Sequence, residues 1–207
     1  MLSLNLGGKV QGVNPRLGTL ALTQVTRQLL VLLWGALACS ASWAEQALFS
    51  AQGYRLEHYR SPTPLQHEQA QVLDTQALQQ LLLAQPHSLL INVLPLSYQH
   101  GRFIEDQPVQ QLPGSYWLPN VGKGQLSDDW LAYLQQHLQQ WQAQQPGAPL
   151  VFYCRSDCWH SWNAAKRAAE LGFAPLYWYR DGVDAWQQAG LPLDQGRPEA
   201  KPETQAQ

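Results

Sequence analysis

Leu150-Val151-Phe152-Tyr153 is a run of four apolar and aromatic residues closed by Pro149 on one side and Cys154 on the other. A strand with one wet face alternates. A short, unbroken apolar run instead suits a strand buried on both faces, the kind that builds parallel sheets. Leu89-Leu90-Ile91-Asn92-Val93, between Pro86 and Pro95, is a second such run, and Leu176-Tyr177-Trp178-Tyr179 a third. Ser115-Tyr116-Trp117-Leu118, after Pro113-Gly114, is a shorter one. Double-sided burial demands a layer on each side, and helical patterns lie between the runs. Thr75 is expected to cap a helix through Leu83. Ser127, Asp128 and Asp129 open an amphipathic helix carrying Trp130, Leu131, Leu134, Leu138 and Trp141, stopped by Pro146-Gly147. Ser161 to Leu171 reads as a helix closed by Gly172, and Val183 to Ala189 as a last short one before Gly190. This alternation predicts a single α/β domain, a mostly parallel sheet with helices on both faces. Chemistry in such sheets sits at the carboxyl ends of strands, where Cys154 stands.

The flanks read differently. Leu29 to Ala38 is apolar and uncharged, too short for a spanning helix, with Lys9, Arg16 and Arg27 before it and the small residues Ser42 and Ala44 after it. Residues 1–44 are therefore expected to be a secretory signal peptide and the protein periplasmic. Ala36-Leu37-Ala38-Cys39 loosely resembles a lipobox; lipidation at Cys39 would be the one route to a membrane. The 163 residues from Glu45 keep ten of thirteen Lys and Arg and all fifteen Asp and Glu, a net charge of −5. No basic stripe is left for nucleic acid, and no nucleic-acid partner is expected. Residues 45–71, with Ser61-Pro62-Thr63-Pro64, read as an extended N-terminal segment, 72–193 as the folded domain. Residues 194–207, polar and proline-bearing, read as a disordered tail.

Three cysteines are too few for a disulfide scaffold. With Cys39 in the leader, the domain keeps Cys154 and Cys158, a pair in an oxidising compartment. A strand, a cysteine, a loop of six or seven residues and a helix start form an anion-cradling nest. Backbone N–H groups and the helix dipole there lower a thiol pKa and hold thiolate, persulfide or oxyanion. The loop residues are Arg155, Ser156, Asp157, Cys158, Trp159, His160 and Ser161. Arg155 and Ser156 are candidates to bind an anion, His160 to add positive charge or shuttle a proton. Ser161 is expected as helix N-cap or as a donor to the sulfur. Cys158 either packs as a small hydrophobe or pairs with Cys154 as attacking and resolving thiols. A third use of Cys154, Cys158 and His160 is soft-metal ligation, of copper(I) or zinc. His58, His67, His87, His100 and His137 lack ligand spacing, although His100, before Gly101 in the long loop, is a candidate to approach the site. Trp117 and Trp178 are expected in the core, and Trp186 as the packing residue of the last helix.

Val151-Phe152-Tyr153-Cys154-Arg155-Ser156 resembles the active-site strand and loop of rhodanese-like domains. Leu89–Val93 is similar to their early strand, Leu112-Pro113-Gly114-Ser115 to the segment before another, and Leu176 to Trp186 with Gly190-Leu191-Pro192 to their closing elements. The resemblance implies a rhodanese-like fold and a nucleophilic Cys154. Cys158-Trp159 with Ser161 to Ala168 further resembles the exported rhodanese-like proteins associated with pyrroloquinoline quinone (PQQ)-dependent alcohol catabolism. That family is named for a C-x-x-C-W motif, whereas three residues separate the cysteines here. Asn92 and Leu94 depart from the usual aspartate and arginine. His160 stands where related phosphatases have the arginine that clasps phosphate. The resemblance implies a sulfurtransferase or persulfide carrier with catalytic Cys154 and Cys158, a small sulfur donor or thiol acceptor, and no cofactor. The alternative is a non-catalytic accessory or thiol-redox module of a periplasmic quinoprotein oxidation system, with a copper or zinc carrier third.

Overall fold

A computed structural model describes residues 48–202. The expected leader and Cys39 lie outside the described residues, as do residues 203–207. In chain order the strands are β1 (Gln71–Leu73), β2 (Leu89–Asn92), β3 (Ser97–Gln99), β4 (Arg102–Ile104), β5 (Gln110–Gln111), β6 (Tyr116–Trp117), β7 (Leu150–Tyr153), β8 (Leu176–Tyr179) and β9 (Asp194–Gln195). The helices are α1 (Thr75–Ala84), α2 (Asp128–Gln144), α3 (Trp159–Glu170) and α4 (Gly182–Gln188). Five strands form one sheet in the order β1-β8-β7-β2-β6, every pairing parallel.

The unbroken apolar runs behave as their burial requires. All four residues of β2 and of β7 are buried, and alternate side chains feed opposite layers. Leu89, Ile91, Leu150, Phe152 and Trp178 pack with Tyr133, Leu134, Leu138 and Trp141 of α2 and Ala164, Ala165 and Ala168 of α3. Leu90, Val151, Tyr153 and Tyr179 pack on the other side with Leu78 and Leu81 of α1 and Trp186 of α4. Cys154 and Cys158 belong to the first layer. Trp117 and Trp178 are fully buried, as expected.

Four features differ from the sequence reading. Asp74 rather than Thr75 caps α1, its carboxylate accepting the Ala77 N–H at 2.7 Å. Thr75 instead pairs its hydroxyl with that of Tyr179. The stretch expected as a loop before Pro113 contains an antiparallel hairpin, β3 and β4. His100 and Gly101 turn it with φ of 51° and 77°, the backbone of a tight two-residue turn. His100 is thus an exposed turn residue. The segment from Asp194, expected to be disordered, is ordered through residue 202. β9 pairs with β5, Gly196 N–H donates to Val109, and Glu199 N–H donates to the Trp117 carbonyl at 2.8 Å. It lacks apolar side chains because backbone pairing holds it, a contribution that apolar periodicity does not register.

Candidate functional site

Cys154 follows β7, the middle strand of the sheet, and is joined to Cys158 by a disulfide with Cα atoms 6.2 Å apart. The residues expected to form one loop are distributed differently. α3 begins at Trp159, so the loop proper is Arg155–Cys158 and the nest is shorter than the six or seven residues expected. Cys158, not Ser161, holds the N-cap position. Ser161 lies inside the first turn, where its hydroxyl donates to the Cys158 carbonyl at 3.1 Å and accepts the Trp178 indole N–H at 3.0 Å. Both partners are fixed structure, so the hydroxyl is committed to packing α3 onto β8.

Ser156 faces a carboxylate of the protein itself. Its backbone N–H and its hydroxyl both donate to Asp184, at 3.1 and 3.0 Å. Asp184 is carried there by the first turn of α4, whose Val183 N–H donates to the Cys154 carbonyl at 2.9 Å. Gly182, with φ of 68°, lets the turn approach so closely that a Cβ there would stand 2.4 Å from the Arg155 carbonyl carbon. Arg155 and Asp157 are exposed, and Asp157 takes a φ of 49°.

A strap of the N-terminal segment covers the other side. Arg60 bridges Cys158 in antiparallel fashion, the Trp159 N–H donates to the Tyr59 carbonyl, and the Arg60 guanidinium donates to the Ser156 carbonyl at 2.9 Å. The Trp159 indole N–H donates to Ser61, and the Tyr59 ring stacks on His160 at 4.1 Å. Beneath this cover Cys154 and Cys158 are 1% and 3% exposed. Asn163 of α3 ties the strap to the next loop, donating to the carbonyls of Arg55 and Gly122 and accepting the Arg55 N–H. Arg167, one turn on, donates to the carbonyls of Val121, Lys123 and Gly124.

His160 does not supply the positive charge considered for it. The ring is buried between Tyr59 and the backbone at Gly122, and burial pushes its pKa down to about 4, helped by the nearby Lys123 charge. Its Nδ1 has no hydrogen-bond partner among the described residues. The consequence for stability has a definite sign. Unfolded, the ring takes up its proton near pH 6.5; folded, only near pH 4. Between those values the unfolded chain binds more protons, so stability falls as pH falls, by about 3 kcal/mol for this residue alone. His67 adds to the same trend, its pKa lowered chiefly by burial. Urea unfolding at pH 7 and pH 4 should therefore show a smaller loss in His160→Gln than in wild type. Equal losses would contradict the assignment.

Among the described residues, no group of three or more His, Cys, Asp or Glu side chains gathers as metal ligands would. In this oxidised form each sulfur is bonded to the other, and the donors of Ser156 are occupied. Reduction would return two thiols beside the N-terminus of α3, the setting in which a thiolate is stabilised.

Asp184, Tyr59, Arg60, Gly122, Asn163 and Arg167 were not singled out by sequence reasoning. A signal existed for two of them. Asn163 and Arg167 are polar residues at helical spacing i, i+4 on a helix otherwise rich in alanine, a pattern that asks for buried partners.

The sequence model of the rhodanese-like domain matches residues 97–189. No curated protein matches the chain in sequence. Among solved structures, the thiosulfate sulfurtransferase from Pseudomonas aeruginosa is similar at 18% identity and a TM-score of 0.44, over 62% of this chain and 21% of that one. This chain thus spans about a fifth of that protein. The polysulfide-sulfur transferase homodimer from Wolinella succinogenes is similar at 20% identity and a TM-score of 0.41, over 62% of this chain and 80% of that one.

Proposed function

The described domain has the rhodanese-like α/β fold, and from that premise we propose that the chain is a sulfurtransferase or persulfide carrier whose nucleophile is Cys154. One observation carries the reading: Cys154 stands at the carboxyl end of the middle strand, against the start of α3, with a second thiol within bonding reach. The Cys154 thiolate attacks the outer sulfur of a donor such as thiosulfate. The S–S bond of the donor breaks, sulfite leaves with the electron pair, and Cys154 carries a persulfide. An acceptor thiolate then takes the outer sulfur and restores the Cys154 thiolate. Without an acceptor, the Cys158 thiol attacks the Cys154 Sγ and hydrosulfide leaves. The two thiols are oxidised to the disulfide, the transferred sulfur is reduced, and an external dithiol resets the pair. Donor access requires the strap at Tyr59–Ser61 to lift.

The leader and the Cys158-Trp159 segment support placing this chemistry in the periplasm, alongside a PQQ-dependent alcohol-oxidising system. In the test, protein reduced by a dithiol and freed of reductant is incubated with thiosulfate and weighed intact by mass spectrometry. Release of sulfite and hydrosulfide, with the pair returning to the disulfide, is expected. Retention of both free thiols with no sulfite released would refute the reading.

A second reading is favoured by the burial of both sulfurs and by Asp184 filling the donors of Ser156. The pair would then be a structural or redox disulfide in a protein that holds a partner rather than turning over a sulfur donor. Thiol counting on protein taken from the exported compartment, before and after mild reduction, separates the two: a locked bridge yields no thiol under either condition.

A further inference from the structure

Lys201, on the segment that follows β9, ends in a cage. Its ammonium lies 2.7 Å from an Asp129 carboxylate oxygen, and its side chain is 5% exposed. The same nitrogen lies 5.1 Å from the centre of the Trp130 ring and 5.5 Å from that of Tyr98. A carboxylate and two aromatic faces around one cation are the chemistry by which proteins bind organic ammonium ions. We propose that Asp129, Trp130 and Tyr98 form a binding site for primary alkylammonium ions, which the chain's own Lys201 occupies in the described state.

The cage walls also make contacts of their own, apart from Lys201. Tyr98 and Trp130 meet edge to face at 5.3 Å, Tyr98 packs against Phe103 at 4.9 Å, and Trp130 against Tyr133 at 5.7 Å. These aromatic contacts, from the β3–β4 hairpin and α2, pack the walls against one another. The Lys201 ammonium, and after it the Ser127 hydroxyl that donates to the same carboxylate, hold Asp129 below the ordinary carboxylate range. A cavity of about 510 Å³ shares Tyr98 and Trp130 with Pro95, Leu96, Asn120 and Lys123, giving the remainder of a ligand somewhere to go. Pro95, Leu96, Asn120 and Lys123 come from the loops following β2 and β6, at the same carboxyl edge of the sheet as Cys154.

Lys201 is held by its segment as well as by the ion pair. Beyond the ion pair, the residues before it contribute a Glu199 N–H to the Trp117 carbonyl, the Tyr133 hydroxyl to the Glu199 carbonyl and an exposed contact between His137 and the Ala200 carbonyl. A tethered side chain competes with a free ligand as though present at millimolar concentration. A primary ammonium is favoured over a quaternary one because only the former donates a hydrogen bond to Asp129.

Calorimetric titration of the full-length protein with n-butylammonium chloride, at fixed ionic strength, tests this. Lys201→Ala should bind about tenfold more tightly than wild type, since the competing side chain is gone. Lys201→Gln, which preserves the length of the side chain but not its charge, should also bind more tightly and guards against a tail that detaches in the alanine variant. Adding Asp129→Asn to either should abolish the gain, and tetramethylammonium should bind the opened variants more weakly than n-butylammonium. The proposal is overturned if neither Lys201 variant binds more tightly than wild type, or if the gain survives Asp129→Asn.

Discussion

Reduced protein carrying Cys158→Ser should take one sulfur from thiosulfate onto Cys154 and keep it, whereas Cys154→Ser should take none. The asymmetry follows from where the two sulfurs sit. Cys154 ends a buried strand, and its carbonyl is held by the Val183 N–H, so its backbone is fixed on the sheet. Cys158 holds the N-cap position of α3, and in the proposed reaction it is the resolving thiol. Without Cys158, the persulfide has no neighbour to expel hydrosulfide, and it accumulates. Without Cys154, no nucleophile stands at the strand end, and sulfite release should fall by roughly 10³-fold or more, to background. Intact mass and sulfite release are the two readouts. Equal sulfur uptake by both single variants would mean that the loop offers two equivalent thiols, which the assigned roles do not allow.

Gly182→Ala should be among the most damaging conservative changes in the domain. Gly182 and Gly190 have nearly the same backbone, with φ of 68° and 70°. A Cβ at Gly190 meets nothing within 4 Å, whereas one at Gly182 would stand 2.4 Å from the Arg155 carbonyl carbon and 2.6 Å from the Ser156 nitrogen. Gly190→Ala therefore reports only the cost of a left-handed alanine, about 1 kcal/mol. Gly182→Ala adds an overlap with backbone that no rotamer relieves, for a total of about 3–4 kcal/mol. In a domain of this size that corresponds to about a 10 °C fall in Tm, measured by calorimetry at constant pH. Because the overlap pushes the loop away from α4, the bonds from Ser156 to Asp184 should weaken in step. Equal losses in the two variants would remove the close approach from the account.

The elements that were legible in the sequence are those whose stabilisation is written in single residues. β2, β7 and β8 are unbroken apolar runs, and α2 has its acids, stripe and stop in order. β1 was not legible because it is an edge strand of three residues with only Leu73 buried. The hairpin was hidden because His100-Gly101 is an uncommon form of the tight-turn signal. At the site, the two cysteines could be found from the strand that precedes them. The groups that close over them could not. The acid that fills the Ser156 donors is 28 residues distant in the chain, and Arg60 lies 96 residues before its carbonyl partner. No local pattern encodes such pairings; they exist only once the sheet brings α4 and the strap to one edge. Of the two roles considered for His160, positive charge is disfavoured by burial, which no local pattern around the helix start encodes.

A parallel sheet ends in a row of backbone donors and acceptors, and β6, the outermost strand on its side, has only two residues to end it with. Pro198 and Glu199 lie along that strand, and Glu199 takes its carbonyl at Trp117. A proline brings no N–H of its own, so the next chain arriving at this side would find the carbonyl already satisfied and a donor missing. Cover along this edge of the sheet thus comes from a polar segment that adds almost nothing to the apolar core.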